Sequence, residues 1–245
     1  MRVVTTAFRV LEEVAVHQPV GVSELARLLD EPKSTVQRAL GALREVGWVE
    51  QEPGGTRRWR QTTKLLALAS RGGGVDLRER SLAVMRELSD RTDENVHLSV
   101  RSGHFITIVE KLESTKVVRP HDPLGVLAPI HASSTGKAIL AWSDPEDVEE
   151  VIAAGLSGFT QQTVTDPDAL RRELRTIREV GYSVNTGEWR DEIRGVAAAI
   201  IEADGRARAA ISLAVPTHRL PDADIPALGL LVNSIVARLC AGQNP

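Results

Sequence analysis

Apolar residues near the start of the chain recur at spacings of three and four. Ala7, Val10, Leu11 and Val14 share one face of a helix predicted over 5–17, which Pro19 and Gly21 end. Ser23 is placed to cap a second helix over 24–29, with Leu25, Leu28 and Leu29 turned inward. After the break at Asp30, Glu31 and Pro32, Ser34 is followed three residues on by Gln37, the pattern of a capping box. Val36, Leu40 and Leu43 mark the buried face of the third helix, and Gly47 closes it. Two short strands, 48–51 and 57–61, flank the turn residues Pro53, Gly54 and Gly55. Three short helices followed by a glycine-tipped hairpin predict a winged helix-turn-helix over 1–62.

The stretch 63–70 continues as a helix with Leu65, Leu66 and Leu68, and Gly72, Gly73 and Gly74 form a flexible joint. This linker, 63–76, separates the first domain from a second over 77–245. Asp76 opens a helix with Leu77, Val84, Met85 and Leu88 inward. The apolar period then changes from 3.6 to 2. Val96, Leu98 and Val100 alternate with polar residues, 101–104 is a turn, and 105–112 is the second strand of a hairpin. Helices are predicted over 133–142, 145–154, 166–180 and 221–240, and a second hairpin over 196–215 turns at Ala203, Asp204 and Gly205. Helices mixed with antiparallel hairpins indicate an α+β domain.

Composition narrows the function classes. The 245 residues carry a net charge of −3, with 42% hydrophobic and 26% charged side chains. That supplies a sizeable core. No run of about 20 unbroken apolar residues is present, so no membrane span is expected. The amino terminus has no apolar stretch of the secretory type. One cysteine, Cys240, excludes an internal disulfide. These features predict a cytoplasmic protein. Charge is uneven along the chain. Residues 33–60 hold six basic and three acidic side chains, a surplus of three positive charges on an otherwise acidic protein.

That surplus sits on the third helix and the wing. Lys33, Ser34, Thr35, Gln37, Arg38 and Arg44 lie outside the helix's apolar stripe. Gln can pair with adenine through two bonds, Arg with guanine or phosphate, and Thr with phosphate or a thymine methyl. Arg57 and Arg58 on the wing are placed for the phosphate backbone or minor groove. Solvated surface charge explains the same residues as well. Other motifs resemble catalytic ones. Ser134 and Lys137 match the serine–lysine spacing of acyl-transfer enzymes, but the accompanying Ser-Asp-Asn and Lys-Thr-Gly elements are absent. A phosphate loop fails because His131 and Ala138 stand where Gly and Ser or Thr are required. The six histidines are scattered without metal-ligand spacing, and His121 with Asp122 reads as a solvated turn. No cofactor, metal site or enzymatic activity is expected. A serine–lysine hydrolase and a DNA-binding module whose second domain only oligomerises remain as rivals to a regulator.

Four segments in order carry a resemblance over nearly the whole chain: 32–49, 129–141, 181–198 and 209–220. They resemble the IclR family of bacterial transcription regulators. The resemblance implies a GAF-like effector-binding domain with a curved antiparallel sheet around one pocket. It implies homodimers formed through the DNA-binding domains, often assembled into homotetramers. It also implies binding to double-stranded, pseudo-palindromic operators and control of catabolic operons by small organic acids. Matching the family's motifs residue by residue places Ala128, Ser134, Thr135, Asn185, Gly195, Ser212 and Ala214 in the effector pocket. Members that bind very small oxo-acids carry an acidic residue, a thiol and a second serine at the places of Asn185, Gly195 and Ala214. The departures here imply a roomier pocket and a bulkier, aromatic acid, with Trp189 available to pack on it.

Overall fold

The structure, a computed structural model, describes residues 2–69 and 74–241. Gly72 and Gly73 of the expected joint lie outside the described residues. The chain forms two compact units, 1–76 and 77–245.

In the first unit, α1 (Arg2–His17), α2 (Val22–Leu29) and α3 (Lys33–Glu45) pack around Val10, Val14, Leu25, Val36 and Leu40. The strands β1 (Val49–Gln51) and β2 (Trp59–Gln61) form the antiparallel wing, and α4 (Lys64–Ala69) follows. Trp59 is buried and pairs with Val20, which ties the wing to the helices. The helix ends correct the capping scheme. Both α2 and α3 begin two residues before the expected start, after Gly21 and Pro32, and neither has a side-chain cap. Ser23 and Ser34 therefore lie inside their first turns. In α3 the carbonyl of Pro32 accepts the first ladder bonds from Thr35 and Val36. Leu28, expected inward, is on the exposed side of α2. The end of α3 follows expectation: Gly47 takes φ +78°, its N–H donates to Arg44 and that of Trp48 donates to Leu43.

The second unit is built on one six-stranded antiparallel sheet in the order β5–β4–β3–β8–β7–β6. Its strands are β3 (Asn95–Ser102), β4 (Phe105–Leu112), β5 (Leu127–Pro129), β6 (Ser183–Thr186), β7 (Ile193–Ile201) and β8 (Ala207–Pro216). The helices are α5 (Gly74–Thr92), α6 (Ser134–Ala141), α7 (Pro145–Ala153), α8 (Pro167–Val180) and α9 (Ile225–Ala241). α5 and α9 supply Met85, Leu88, Val232 and Val236 to a core with Val96, Leu98 and Leu213 on one face of the sheet. α6, α7 and α8 build a second core on the other face around Ile139, Val151 and Leu170. The last helix begins at Ile225, after short 3₁₀ turns at 217–219 and 222–224, rather than at Pro221. Contrary to the sequence reading, the stretch Asp222–Cys240 is long and apolar enough to cross a membrane by length and composition alone. In the structure its inner stripe, Val232, Ile235 and Val236, packs on the sheet.

A bulge in β4 shapes the second core. Leu98 pairs with Glu110, but the next residue, Ser99, pairs with Ile108, which leaves Val109 as the extra residue. Glu110 consequently faces α5, where it meets Arg78 at 2.5 Å. Ile108, two residues away, turns to the opposite face beside Ser99. Without the bulge both would point the same way.

Candidate DNA-reading face and effector cavity

The first unit brings the expected reading residues to one surface in part. Lys33, Ser34, Gln37 and Arg38 are exposed on the first turns of α3, and Thr35 is half-buried beside Arg38. Among the described residues, the side chains of Lys33, Gln37, Arg38 and Arg57 make no hydrogen bond or ion pair, so their polar groups face solvent. Arg44 lies six residues beyond Arg38, about 9 Å along the helix. Its guanidinium stands 5.9 Å from the ring of Trp59. Arg58 is committed inside the domain. Its Nε donates to the Pro19 carbonyl at 2.7 Å, and it faces Glu24 at 3.6 Å. Of the two wing arginines, Arg57 is the one left for a partner. Val10 and Leu11 are spent in the domain's own core. Val3, Val4, Phe8 and Val16 of α1, with Leu66 and Leu68 of α4, are exposed apolar residues.

In the second unit all seven expected pocket residues converge on one cavity. It lies between the sheet and the amino-terminal end of α6. Ser133 caps that helix by accepting from the Gly136 N–H at 3.1 Å. Ser134 and Thr135 follow on the first turn, and their hydroxyls have no protein partner among the described residues. Gly195 of β7, Ser212 and Ala214 of β8, Asn185 of β6 and Ala128 of β5 form the floor and sides. The cavity volume is about 60 Å³.

The room expected at Gly195 is already filled. A β-carbon there would stand 2.4 Å from Ser134 Oγ, so the missing side chain makes space for the α6 hydroxyl rather than for a ligand. Asn185 is similarly engaged. Its Nδ2 donates to the Ala132 carbonyl at 2.6 Å, and its Oδ1 accepts from the N–H groups of Gly187 and Glu188 at 2.9 and 2.8 Å. It ties the turn after β6 to the entry of α6. Asn185→Ala orphans three buried backbone groups and is expected to cost about 2–4 kcal/mol of stability, read as a lower midpoint in urea or thermal unfolding. An unchanged midpoint with weaker effector binding would return Asn185 to the role of a ligand contact.

The sequence reading missed several lining residues. His97 and Ser99 project from β3 into the cavity, and Asp122, Trp189 and Arg190 close its side. The period-two pattern of β3 separates an apolar face from a polar one but does not say what covers the polar one. Burial holds the His97 imidazole neutral, pulling its pKa down to about 4 against the opposing charge of Asp122. Asp122, read as part of a solvated turn, is buried and bonded to Arg190 at 2.7 Å. The Arg190 guanidinium lies 4.0 Å over the Trp189 ring.

Behind α6, Lys137 is fully enclosed and its ammonium donates to Glu173 and Glu188, each at 2.5 Å. Burial pushes the Glu188 carboxyl above the usual carboxylate range, and Lys137 opposes that rise. Both carboxylates compete for the amine that a serine–lysine mechanism needs as base, and no hydrogen bond joins Lys137 to Ser134 among the described residues. No group of three potential metal ligands occurs among the described residues.

Comparison with known proteins agrees with this layout. Residues 3–53 match the profile of the IclR helix-turn-helix domain, and residues 72–241 match that of the bacterial transcriptional regulator IclR C-terminal domain. The chain is 32% identical to the HTH-type transcriptional regulator BhcR of Paracoccus denitrificans, over 100% of this chain and 88% of the relative. It is 30% identical to the transcriptional repressor IclR of Escherichia coli, over 93% and 85%. Among solved structures, an IclR homolog from Microbacterium hydrocarbonoxydans complexed with 4-hydroxybenzoate aligns with a TM-score of 0.78 at 28% identity, covering 98% of each chain.

Proposed function

The chain belongs to the IclR family of bacterial transcriptional regulators, and from that premise we propose that it regulates a catabolic operon in response to a small aromatic acid. The observation that carries the reading is the cavity, with free hydroxyls at the start of α6 beside an apolar wall of Ile106, Ile108 and Ala128. The amino-terminal end of a helix favours an anion, because its first N–H groups lack helical partners. A carboxylate is therefore placed near Ser134 and Thr135. The cavity, about 60 Å³, is smaller than the roughly 150 Å³ of a dry cavity that accepts benzene, so a single ring enters only as the cavity walls move apart. The 4-hydroxybenzoate complex of the relative supports the same class. With Asn185 engaged and the space at Gly195 filled, the ring is placed along the β3–β4 side.

The protein acts without catalysis or cofactor, in the cytoplasm. It binds a pseudo-palindromic duplex as a homodimer or a pair of dimers, with the exposed apolar residues of α1 and Leu66 as the dimer surface. The acid changes operator affinity by biasing the arrangement of the paired reading domains, a coupling of about 1–3 kcal/mol. Selection of bound duplexes from a random library, followed by titration of benzoate-type acids into the selected complex, tests the whole reading. A protein that selects no sequence, or an operator complex that no acid of this class alters, contradicts it.

Within that assay Arg38→Ala is expected to weaken operator binding by about 1–3 kcal/mol. A loss confined to the selected sequence marks a base contact. A uniform loss, with a salt slope smaller by about one, marks a phosphate contact. Unchanged affinity on every duplex removes Arg38 from the interface.

A further inference from the structure

We propose that His97 and Ser99 form a second recognition point in this cavity, which takes a neutral hydrogen-bonding group, a hydroxyl by preference, at the end of the effector remote from its carboxylate. The inference rests on reading the cavity as the effector site and adds to it a requirement on the effector's far end.

Two orphaned atoms carry it. His97 Nε2 and Ser99 Oγ are enclosed and meet no hydrogen-bond partner. Their side chains line the cavity and belong to residues only 4% and 1% exposed. Buried polar groups left unpaired cost stability, and each one in a native fold calls for a reason. Here two occur side by side. Residues two apart on a strand share a face, about 7 Å from one another. Ser212 stands directly opposite His97 across the β3–β8 ladder and adds a third polar group to the same patch. The β4 bulge sets Ile108 against Ser99, so the patch has an apolar border.

The patch is separate from the anion end. Ser134 lies against Gly195 on β7, and β8 stands between β7 and β3. Two strand spacings are about 10 Å. Ser134 and the His97–Ser99 pair thus stand on opposite sides of β8, and a flat molecule with polar groups at opposite ends spans them.

The charges around His97 favour a neutral group there. Asp122 faces the same space with a negative charge, and the nearby cations, Arg190 and Lys111, are already paired with Asp122 and Glu113. A second carboxylate would meet no free positive charge. The neutral imidazole offers one donor and one acceptor, and the Ser99 hydroxyl offers both. A hydroxyl, itself donor and acceptor, matches that set.

Calorimetry on the full chain with benzoate, 4-hydroxybenzoate and terephthalate tests the proposal. The hydroxylated acid is expected to bind about tenfold more tightly than benzoate, the effect of one or two ordinary hydrogen bonds, and terephthalate more weakly than either. His97→Leu and Ser99→Ala should each lower the ratio of 4-hydroxybenzoate affinity to benzoate affinity, and that ratio, not benzoate affinity itself, is the readout. Equal affinity for benzoate and 4-hydroxybenzoate, or a preference that survives in both variants, overturns the second recognition point and leaves the effector cavity standing. Binding of none of the three overturns both. A measurement without ligand is independent of the choice of acid. Free His97→Leu and Ser99→Ala proteins should melt no lower than the parent, because each loses an unpartnered polar atom. A clear fall in both assigns the pair to the fold and overturns the proposal.

Discussion

Gly136→Ala is expected to destabilise the second unit by about 3–5 kcal/mol, lowering its melting transition by roughly 10–15 °C. The reason is a contact of main chain with main chain. Gly136 sits on the first turn of α6, and a β-carbon there would stand 2.0 Å from the carbonyl oxygen of Ile130 and 2.6 Å from its Cα. No side-chain rotation relieves such an overlap, so the loop 130–133 or the helix itself must move. Both position the cavity: Ser133 caps the helix, and Ala132 holds Asn185. Effector binding should therefore fall along with stability. Gly41→Ala is the matched control. Gly41 lies inside α3, where a β-carbon meets nothing within 4 Å. In a helix interior alanine is preferred by about 1 kcal/mol, so the first unit should gain stability. Thermal unfolding of the two proteins reads both effects. A Gly136→Ala protein that melts like the parent would show that the α6 entry yields easily, against the close approach seen here.

Lys137→Ala is expected to cost a similar 3–5 kcal/mol, because removing one partner of a buried ion pair strands the other. Lys137 joins three elements: α6, Glu173 on α8, and Glu188 in the turn after β6. That turn carries Trp189 and Arg190, two of the cavity's walls. The sign of the pH dependence follows from Glu188. Burial already raises its pKa, and losing the cation raises it further. A carboxyl whose folded pKa is raised favours the fold at low pH and opposes it as pH rises above the unfolded value. The deficit of Lys137→Ala relative to the parent should thus shrink on going from pH 7 to pH 5. Lys137→Met combined with Glu188→Gln should recover much of the loss, since it removes cation and anion together. Urea titrations at the two pH values measure the effect. A deficit independent of pH would mean that lost packing, rather than the stranded carboxylate, is responsible.

The two hairpins 95–112 and 193–216 and most helices were legible because they are local. Periods of 3.6 and 2, ended by Gly and Pro, need no knowledge of what lies across the fold. β5 and β6 escaped that reading. They are three and four residues long, too short for a period to show, and β4 and β7 define them by pairing. The buried helix α6 carries almost no amphipathic signal, since all eight of its residues are enclosed. The helix expected over 133–142 nevertheless stands at Ser134–Ala141, and the motif 129–141 that resembles a family covers it.

The same division holds at the functional sites. The sequence by itself determined the winged helix, its basic turns around Lys33, Gln37 and Arg38, the antiparallel second domain, and the seven residues that meet at one cavity. These follow from local periodicity and a shared motif, which the chain states outright. Only the tertiary structure decided that Arg58 is used up on Pro19, that Ser134 fills the gap at Gly195, and that Asn185 spends its amide on the backbone. It also decided that Asp122 turns inward and that the polar face of β3 is roofed by α6 and the 189–190 turn rather than by water. A side chain's partners are fixed by segments distant in the chain, and a one-residue bulge at Val109 reverses which way the next side chains point. Hydrogen-bonding capacity can be read from residue type; whether it is already spent depends on neighbours that only folding brings within 3 Å.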